Sequence, residues 1–180
     1  MKQFLTLLLL SGLVAGCSPV HVTTDFAEGT DFSQFRTFQY RDSTASLASS
    51  SPLSHQRIVN AIRAGMVSSG LTEVEQNPDV FVTYYGSTDQ QTQFHTTYSS
   101  VNTWSGGRRR SHSMGFDGPS SITRPMTVTE GTLVIDVWDA ARNAMVWRGV
   151  ATSVLSSDPQ QTAQTIAQAV AKALSQFPPK

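Results

Sequence analysis

The side chain with the most defined chemistry is the thiol of Cys17, the only cysteine in a chain of 180 residues. Cys17 follows small residues at the end of an apolar segment, residues 4–14, which contains six leucines. Lys2 precedes this segment, so the N-terminus has the charged and apolar regions of a secretory signal. A helix needs about 20 apolar residues to span a bilayer, and the segment is shorter than that.

The run Val14-Ala15-Gly16-Cys17 resembles the lipobox of bacterial lipoprotein signals. By that resemblance the Cys17 thiol is alkylated with diacylglycerol, the chain is cut after Gly16, and the new amine is acylated, as with palmitate. Ser18 follows instead of an aspartate, which favours sorting to the outer membrane of a Gram-negative bacterium. We therefore expect residues 1–16 to be a signal peptide and Cys17 to be a periplasm-facing lipid anchor. The alternatives are a plain signal peptide or a buried free thiol.

Removal of residues 1–16 leaves 164 residues with 12 basic and 13 acidic side chains. This length suits a single domain with its own core, over residues 17–180. The near-neutral charge gives no reason to expect nucleic acid as a partner. With Cys17 acylated, no thiol is left for a disulfide or a metal site.

The remaining residues contain no recognisable catalytic or metal-binding pattern. The histidines are scattered, and no His-Glu-x-x-His, paired-cysteine or carboxylate cluster accompanies them. A Gly-x-Ser-x-Gly elbow and a glycine-rich phosphate loop are also missing. We therefore expect no cofactor and no metal, assign no catalytic residue, and do not expect an enzyme. The histidines are His21, His55, His95 and His112.

The strongest local charge is the run Arg108, Arg109 and Arg110, with Trp104 before it and His112 after it. Closely spaced cations attract anionic head groups. The run is therefore a candidate contact for an anionic lipid, lipopolysaccharide or an acidic envelope protein. The alternative is a solvated loop tip.

Hydrophobic patterns predict several strands around one clear hairpin. Alternating or β-branched runs occur at residues 20–26, 36–41, 80–85, 127–138 and 144–155. The last two strands form the hairpin, with a turn at residues 139–143. Residues 90–104 could extend the third strand and fold back, and residues 105–125 have the Gly, Ser and Pro content of a loop. Residues 90–125 are thus expected to be a polar excursion.

Two helices are predicted from apolar stripes at helical spacing. The first follows Pro52, with Ser54 as its N-cap, and the second follows a capping box at residues 158–161. This order of elements predicts an α+β fold, a two-layer sandwich with a mainly antiparallel sheet of about four to six strands covered by two helices. The stripes are Ile58, Ile62 and Met66 in the first helix, and Ala163, Ile166, Val170, Ala173, Leu174 and Phe177 in the second.

Five separated motifs resemble those of the domain-of-unknown-function 4136 family of bacterial lipoproteins. They are Asp-Phe-Ser-Gln-Phe-Arg-Thr-Phe at 31–38, Asn-Pro-Asp-Val-Phe-Val at 77–82, Gly-Thr-Leu-Val-Ile-Asp at 131–136, Val-Trp-Arg-Gly at 146–149 and Phe-Pro-Pro at 177–179. The resemblance covers residues 20–179 except for about 90–125. It implies an exported lipoprotein with an α+β domain, and it implies no established activity.

The predicted hairpin contains the one carboxylate that could act in catalysis, Asp136. Asp136 could form a structural ion pair with Arg148 on the partner strand. Alternatively, it could act as a general acid, which would need a cleft. Trp138 and Trp147 could stack on a ligand or pack in the core.

Two functions therefore remain open. The first is a non-catalytic envelope lipoprotein that binds a partner, a lipid or an assembly through a sheet edge or the Arg108–Arg110 loop. The second is an envelope hydrolase with a site near the Asp136 hairpin. The missing catalytic signature and the long polar excursion favour the first, since binding surfaces often lie on loops held by a rigid scaffold.

Overall fold

The computed structural model describes residues 20–43, 47–99 and 120–179. In these ranges two helices pack against one face of a six-stranded sheet, which confirms the predicted α+β sandwich. The strands are β1 (His21–Phe26), β2 (Thr37–Tyr40), β3 (Thr72–Glu73), β4 (Val80–Ser99), β5 (Ser120–Asp139) and β6 (Ala144–Leu155). The helices are α1 (Pro52–Ser68) and α2 (Pro159–Leu174), and one turn of 3-10 helix covers Phe32–Gln34.

The sheet is mixed, with the strand order β1-β6-β5-β4-β2-β3. Four neighbouring strands, β1, β6, β5 and β4, pair antiparallel. In contrast, β2 runs parallel to both β4 and β3. The parallel pairs arise because α1 carries the chain from the end of β2 back to the start of the next strands, as a crossover does.

The core lies between the helices and the helix-facing side of the sheet. Alternate residues of β4, namely Val80, Val82 and Tyr84, are buried there, as the period of a strand requires. The predicted stripe of α1 is confirmed, since Ile58, Ile62 and Met66 are all buried. In α2 the fully covered residues lie in its second half and include one alanine that the prediction missed: Ala169, Val170, Ala173 and Leu174.

The helix starts differ from the prediction at one position. Ser51, not Ser54, is the N-cap of α1, because Pro52 occupies the first helical position that suits its fixed φ. The Ser51 hydroxyl donates to the Ser54 hydroxyl at 2.9 Å and caps no backbone N–H. The predicted cap of α2 is confirmed, since the Asp158 carboxylate accepts from the Gln160 N–H at 2.8 Å.

Two strands extend far beyond their neighbours and form an arm. β4 and β5 pair without a shift from Val80–Asp139 to Ser99–Ser120, whereas the last pair between β5 and β6 is Thr129 with Leu155. Residues 90–99 and 120–128 therefore make a two-stranded ribbon, here called the arm, about 33 Å long at 3.3 Å per residue. The predicted loop is wrong at residues 120–125, where pairing with β4 holds polar residues in a strand. Residues 105–119 lie outside the described residues.

A single carboxylate joins the starts of β2 and β4. Asp79 Oδ2 accepts hydrogen bonds from the Arg36 N–H at 2.8 Å, the Thr37 N–H at 2.9 Å and the Thr37 hydroxyl at 2.9 Å. The Asp79 N–H donates in turn to the Thr37 hydroxyl oxygen at 3.0 Å. These donors, the Arg36 N–H above all, hold the pKa of the Asp79 carboxyl below its usual value of 3.8.

Replacement of Asp79 by Asn should lower the free energy of unfolding at neutral pH by about 1.5–3 kcal/mol, the usual value of hydrogen bonds to a charged group. Because folding lowers the pKa of Asp79, its stabilisation is present above the unfolded pKa and is lost as pH falls through the folded one. In urea unfolding, the difference in free energy of unfolding between the wild type and Asp79→Asn should therefore shrink at pH values below the ordinary pKa of 3.8.

The matched control is Asp89→Asn, since the Asp89 side chain is exposed at the base of the arm. Within the described part of the chain, this side chain has no hydrogen bond or ion pair. A variant at position 79 that unfolds like this control at neutral pH would show that the carboxylate does not join the strands.

Candidate functional site

The residues predicted to carry function lie outside the described part of the chain. These are Gly16 and Cys17 at the cleavage and lipidation site, and Arg108, Arg109 and Arg110. Their roles therefore stay predictions. The arginines belong to the segment that connects Ser99 with Ser120, the last residues of the two arm strands.

Asp136 forms a structural ion pair on the sheet face that points away from the helices. The Arg148 Nε and Nη2 atoms donate to the two Asp136 carboxylate oxygens at 2.7 and 2.8 Å, and the residues are direct cross-strand partners. The hydrogen bonds that Arg148 donates to this carboxylate raise the pKa of Arg148 further above its usual range. Because both oxygens of Asp136 accept from one guanidinium, the carboxylate has the predicted structural arrangement and not that of a general acid.

The two tryptophans of the hairpin lie on opposite faces of the sheet. Trp147 is buried and meets Phe177 edge to face, with ring centroids 5.4 Å apart, which confirms its predicted place in the core. Trp138 is half-buried and pairs with Met145 beyond an irregularity in the register. Because Trp138 directly follows Val137, which is buried on the helix side, strand alternation places Trp138 on the face without helices. The expectation that both would pack under a helix is therefore wrong for Trp138.

A polar cluster holds the loop before α1 against β4. The Leu47 N–H donates to the Tyr84 hydroxyl oxygen at 3.1 Å, and His55 Nδ1 lies 2.8 Å from the same hydroxyl. His55 Nε2 lies 3.7 Å from Asp42 Oδ1, which also accepts from the Tyr40 hydroxyl at 2.8 Å. Burial raises the pKa of Tyr84, so this hydroxyl stays protonated at neutral pH. The cluster therefore clamps the loop and does not supply a nucleophile.

The loop that Tyr84 holds forms one wall of a cavity between the helices. This interhelix cavity has a volume of about 360 Å³ and lies between the first turns of α1, the first half of α2 and the middle of β4, β5 and β6. Its volume falls within the range of small-molecule pockets, about 300–1,000 Å³.

Two glycines in adjacent strands form the floor of the interhelix cavity. A Cβ atom added to Gly86 would lie 3.0 Å from Leu47 Cδ1, and one added to Gly131 would lie 3.0 Å from the Leu155 side chain. The two leucines thus pack directly over the glycines. The sheet has no side chain of its own at these two places, and the leucine side chains occupy that room.

The lining of the cavity is apolar with hydroxyl groups and has no charged side chain among the described residues. The apolar walls are Leu47, Ile58, Leu133, Ala151, Leu155, Ile166 and Ala169. Serines and threonines complete the lining: Ser50, Ser51, Ser54, Ser87, Thr88, Thr132, Thr152, Ser153, Thr162 and Thr165. Such a site can hold an uncharged apolar group with few hydrogen bonds, and it has no group suited to acid–base chemistry.

The arm presents large apolar side chains to solvent on both of its faces. Phe94 and Tyr98 are 71% and 76% exposed on the helix-facing side, and Ile122 and Met126 are 54% and 57% exposed on the other. Residues 90–99 and 120–128 contain no acidic side chain. Their basic side chains are His95 and Arg124, which are direct cross-strand partners.

The described chain begins at the end of the sheet from which the arm extends. His21, the first residue of β1, pairs with Thr152, close to the end of β6 at Leu155, and the arm starts beyond that point. The Lys172 ammonium donates to the Val20 carbonyl oxygen at 2.6 Å, which holds the start of the chain against α2.

Searches for two other kinds of site find none in the described ranges. No group of three or more His, Cys, Asp or Glu side chains there could hold a metal ion. No helix in those ranges is long and apolar enough to cross a membrane.

A family of domains of unknown function, DUF4136, matches residues 22–179. The chain belongs to the DUF4136 family. This match confirms the family that the five sequence motifs predicted. None of the curated proteins compared with this DUF4136 chain matches it.

A solved structure with a TM-score above 0.5 shares the fold of this DUF4136 domain. A PDZ domain protein from Parabacteroides distasonis ATCC 8503 matches 91% of the chain with a TM-score of 0.57 and 17% identity, and the chain spans 37% of that protein's chain. PelC from Paraburkholderia phytofirmans, described as a dodecamer, matches 87% of this chain and 96% of its own, with a TM-score of 0.46 and 14% identity.

The residues of the interhelix cavity were not predicted from the sequence of this DUF4136 domain. One signal was available, because Gly86 and Gly131 interrupt runs of strand-forming residues, and a glycine inside a strand often marks a close approach. The partners of these glycines, Leu47 and Leu155, lie far away in sequence and have no pattern that identifies them.

Proposed function

We propose that this chain is a non-catalytic, lipid-anchored domain of the bacterial envelope that contacts the membrane through its arm. In this proposal Cys17 carries the lipid, the domain lies on the periplasmic side of the outer membrane, and the arm with Arg108–Arg110 touches anionic lipid. The observation that carries the proposal is the position of the arm. It is a ribbon without acidic residues that exposes four large apolar side chains, and it extends from the end of the sheet where the described chain begins.

The first support is that the arm is poorly stabilised without a partner. A two-stranded ribbon alone is marginally stable in water, and residues 91–99 and 120–128 pair only with each other. Four large apolar side chains of the arm are more than half exposed. Contiguous exposed apolar surface is typical of contact sites. A partner that covers these side chains would stabilise the ribbon.

Charge favours an anionic membrane over an acidic protein as that partner. Among the described residues no carboxylate pairs with Arg124, and the arm strands carry no acid. The connecting segment adds Arg108, Arg109 and Arg110. Cations near an anionic leaflet each contribute about 1 kcal/mol of attraction, and the exposed apolar side chains can enter the interface beside them.

Geometry also favours the membrane. Only Ser18 and Pro19 separate Cys17 from Val20, so an extended tether of three residue steps would reach about 10 Å at 3.5 Å per residue. The arm is about 33 Å long at 3.3 Å per residue and starts at the level where β1 begins. A tether this short keeps the whole arm within reach of the bilayer surface. Because both faces of the arm carry two large apolar side chains, either face can rest on lipid.

The hydrolase alternative has no support in the described residues. Asp136, its proposed acid, is engaged by Arg148 at both carboxylate oxygens. The interhelix cavity contains no carboxylate, histidine or charged side chain in its described lining.

Anchoring is tested at Cys17. We expect the wild-type N-terminal peptide to carry diacylglycerol and an amide-linked acyl chain in mass spectrometry. Cys17→Ser, exported behind an ordinary cleavable signal, should leave the outer-membrane fraction because the arm alone binds more weakly than a double lipid anchor. Ser18→Asp is the matched control, since it keeps the lipid and should shift the protein to the inner-membrane fraction. An unmodified wild-type cysteine would contradict the anchor.

Membrane contact by the arm is tested on the mature chain with Cys17→Ser, which has no lipid. It should bind vesicles of phosphatidylethanolamine and phosphatidylglycerol more tightly than vesicles of phosphatidylcholine in a sedimentation assay. Replacement of Arg108, Arg109 and Arg110 by serine should weaken binding about 100-fold, at about 1 kcal/mol per cation. Phe94→Ser with Met126→Ser should weaken it by about tenfold or more, through lost apolar burial.

The control pair is Val67→Ser with Met145→Ser, because these exposed side chains lie near the end of α1 and the start of β6, away from the arm. The control should bind vesicles like the parent. Equal loss in the control and arm variants would show that the arm is not the contact. Absence of vesicle binding by the parent would reject the membrane in favour of a protein partner.

A further inference from the structure

We propose that the interhelix cavity is a binding site for one fatty acyl chain. This site is separate from the arm and is needed neither for anchoring nor for membrane contact. The cavity is a space of about 360 Å³ between the two helices and the sheet, whereas the helices approach each other closely at another point. At Gly65 of α1 a Cβ atom would already overlap the Leu174 side chain of α2.

The lining selects against charged and strongly polar ligands. The described lining has no charged side chain that could pair with a phosphate, a carboxylate or an amine. A buried charge without a partner is costly, so nucleotides and sugar phosphates do not fit. Leu47, Leu133, Leu155 and Ile166 would contact methylene groups instead. The serine and threonine hydroxyls can bond to an ester or hydroxyl group at one end of such a chain.

The floor of the cavity suits a slender ligand. Gly86 and Gly131 have no side chain, so Leu47 and Leu155 pack directly against the sheet backbone there. An acyl chain is one carbon wide and can lie beside these leucines between α1 and α2. A side chain at either glycine would push its leucine towards the cavity.

Two sources could supply the same chemistry. One is the membrane, and the other is the lipid that the proposed function places on Cys17. The second source is close, because Val20 is buried and bonded to Lys172 of α2. Its neighbour His21 pairs with Thr152, which lines the cavity. In either case the group that enters the cavity is an acyl chain.

The experiment measures binding of 1-monoacylglycerols of increasing chain length to the mature chain with Cys17→Ser by isothermal titration calorimetry. Affinity should rise about fourfold for each added methylene, as apolar transfer predicts, and should stop rising when the cavity is full. Thr165→Phe places a ring in the lining of the cavity and should lower affinity by about tenfold or more, since the ring displaces several methylenes. Ala169→Leu is a second filling variant with a smaller change in volume.

The matched control is Ala167→Phe, since Ala167 is an exposed residue of α2 that does not line the interhelix cavity. It should bind like the parent, and circular dichroism checks that all variants are folded. Absence of saturable binding at every chain length would overturn the proposal. So would equal affinities of Thr165→Phe and Ala167→Phe.

A final comparison identifies the source of the chain. If the chain on Cys17 occupies the cavity, the lipidated protein in detergent should not bind added monoacylglycerol, and the Cys17→Ser protein should bind it. Equal binding by both would support the site with membrane lipid as its source. Because the vesicle assay uses arm variants and this assay uses cavity variants, failure of one proposal is distinguishable from failure of the other.

Discussion

The organisation of this domain depends on one mismatch in length within its sheet. β4 and β5 pair over twenty residues each, but β6 covers β5 only as far as Thr129, and β2 reaches only Val82 of β4. The helices cover the same half of the sheet. The covered half of the sheet and the helices form a two-layer core. Beyond it, β4 and β5 form a ribbon that no other described element covers. The interhelix cavity lies where the cover ends, and the arm starts there.

Polar groups with saturated hydrogen bonds hold the covered half together. Asp79 joins β2 to β4 through three accepted hydrogen bonds, and the buried Tyr84 hydroxyl holds the loop that carries Leu47. The Asp136–Arg148 pair joins β5 to β6 on the open face. In each case a side chain of a type that can act in catalysis has a structural role. Among the described residues, the proposed function therefore uses binding surfaces.

The sequence predicted well those parts in which a local pattern and the final packing agree. The hairpin of β5 and β6, the stripe of α1 and the cap at Asp158 follow from spacing and turn residues alone. Residues 120–125 were predicted to be a loop because their partner strand, not their own composition, makes them extended. Ser51 replaced Ser54 as the cap because Pro52 determines where the helix begins. The cavity required contacts such as Gly86 with Leu47, which depend on tertiary packing and have no local signature.

The account rests on the claim that the end of the sheet with the arm faces the bilayer. Lipidation would block the thiol of Cys17, the only native cysteine, so a nitroxide can be attached at a single new cysteine. The two label positions are Thr96→Cys in the arm and Asn143→Cys in the turn at the opposite end of β5. The lipidated protein is then reconstituted in vesicles, and its accessibility to oxygen is compared with that to a water-soluble nickel chelate. The account predicts that the label at position 96 is more accessible to oxygen than to the nickel chelate, and that the label at position 143 is readily accessible to the nickel chelate. Equal exposure of both labels to the nickel chelate would contradict it.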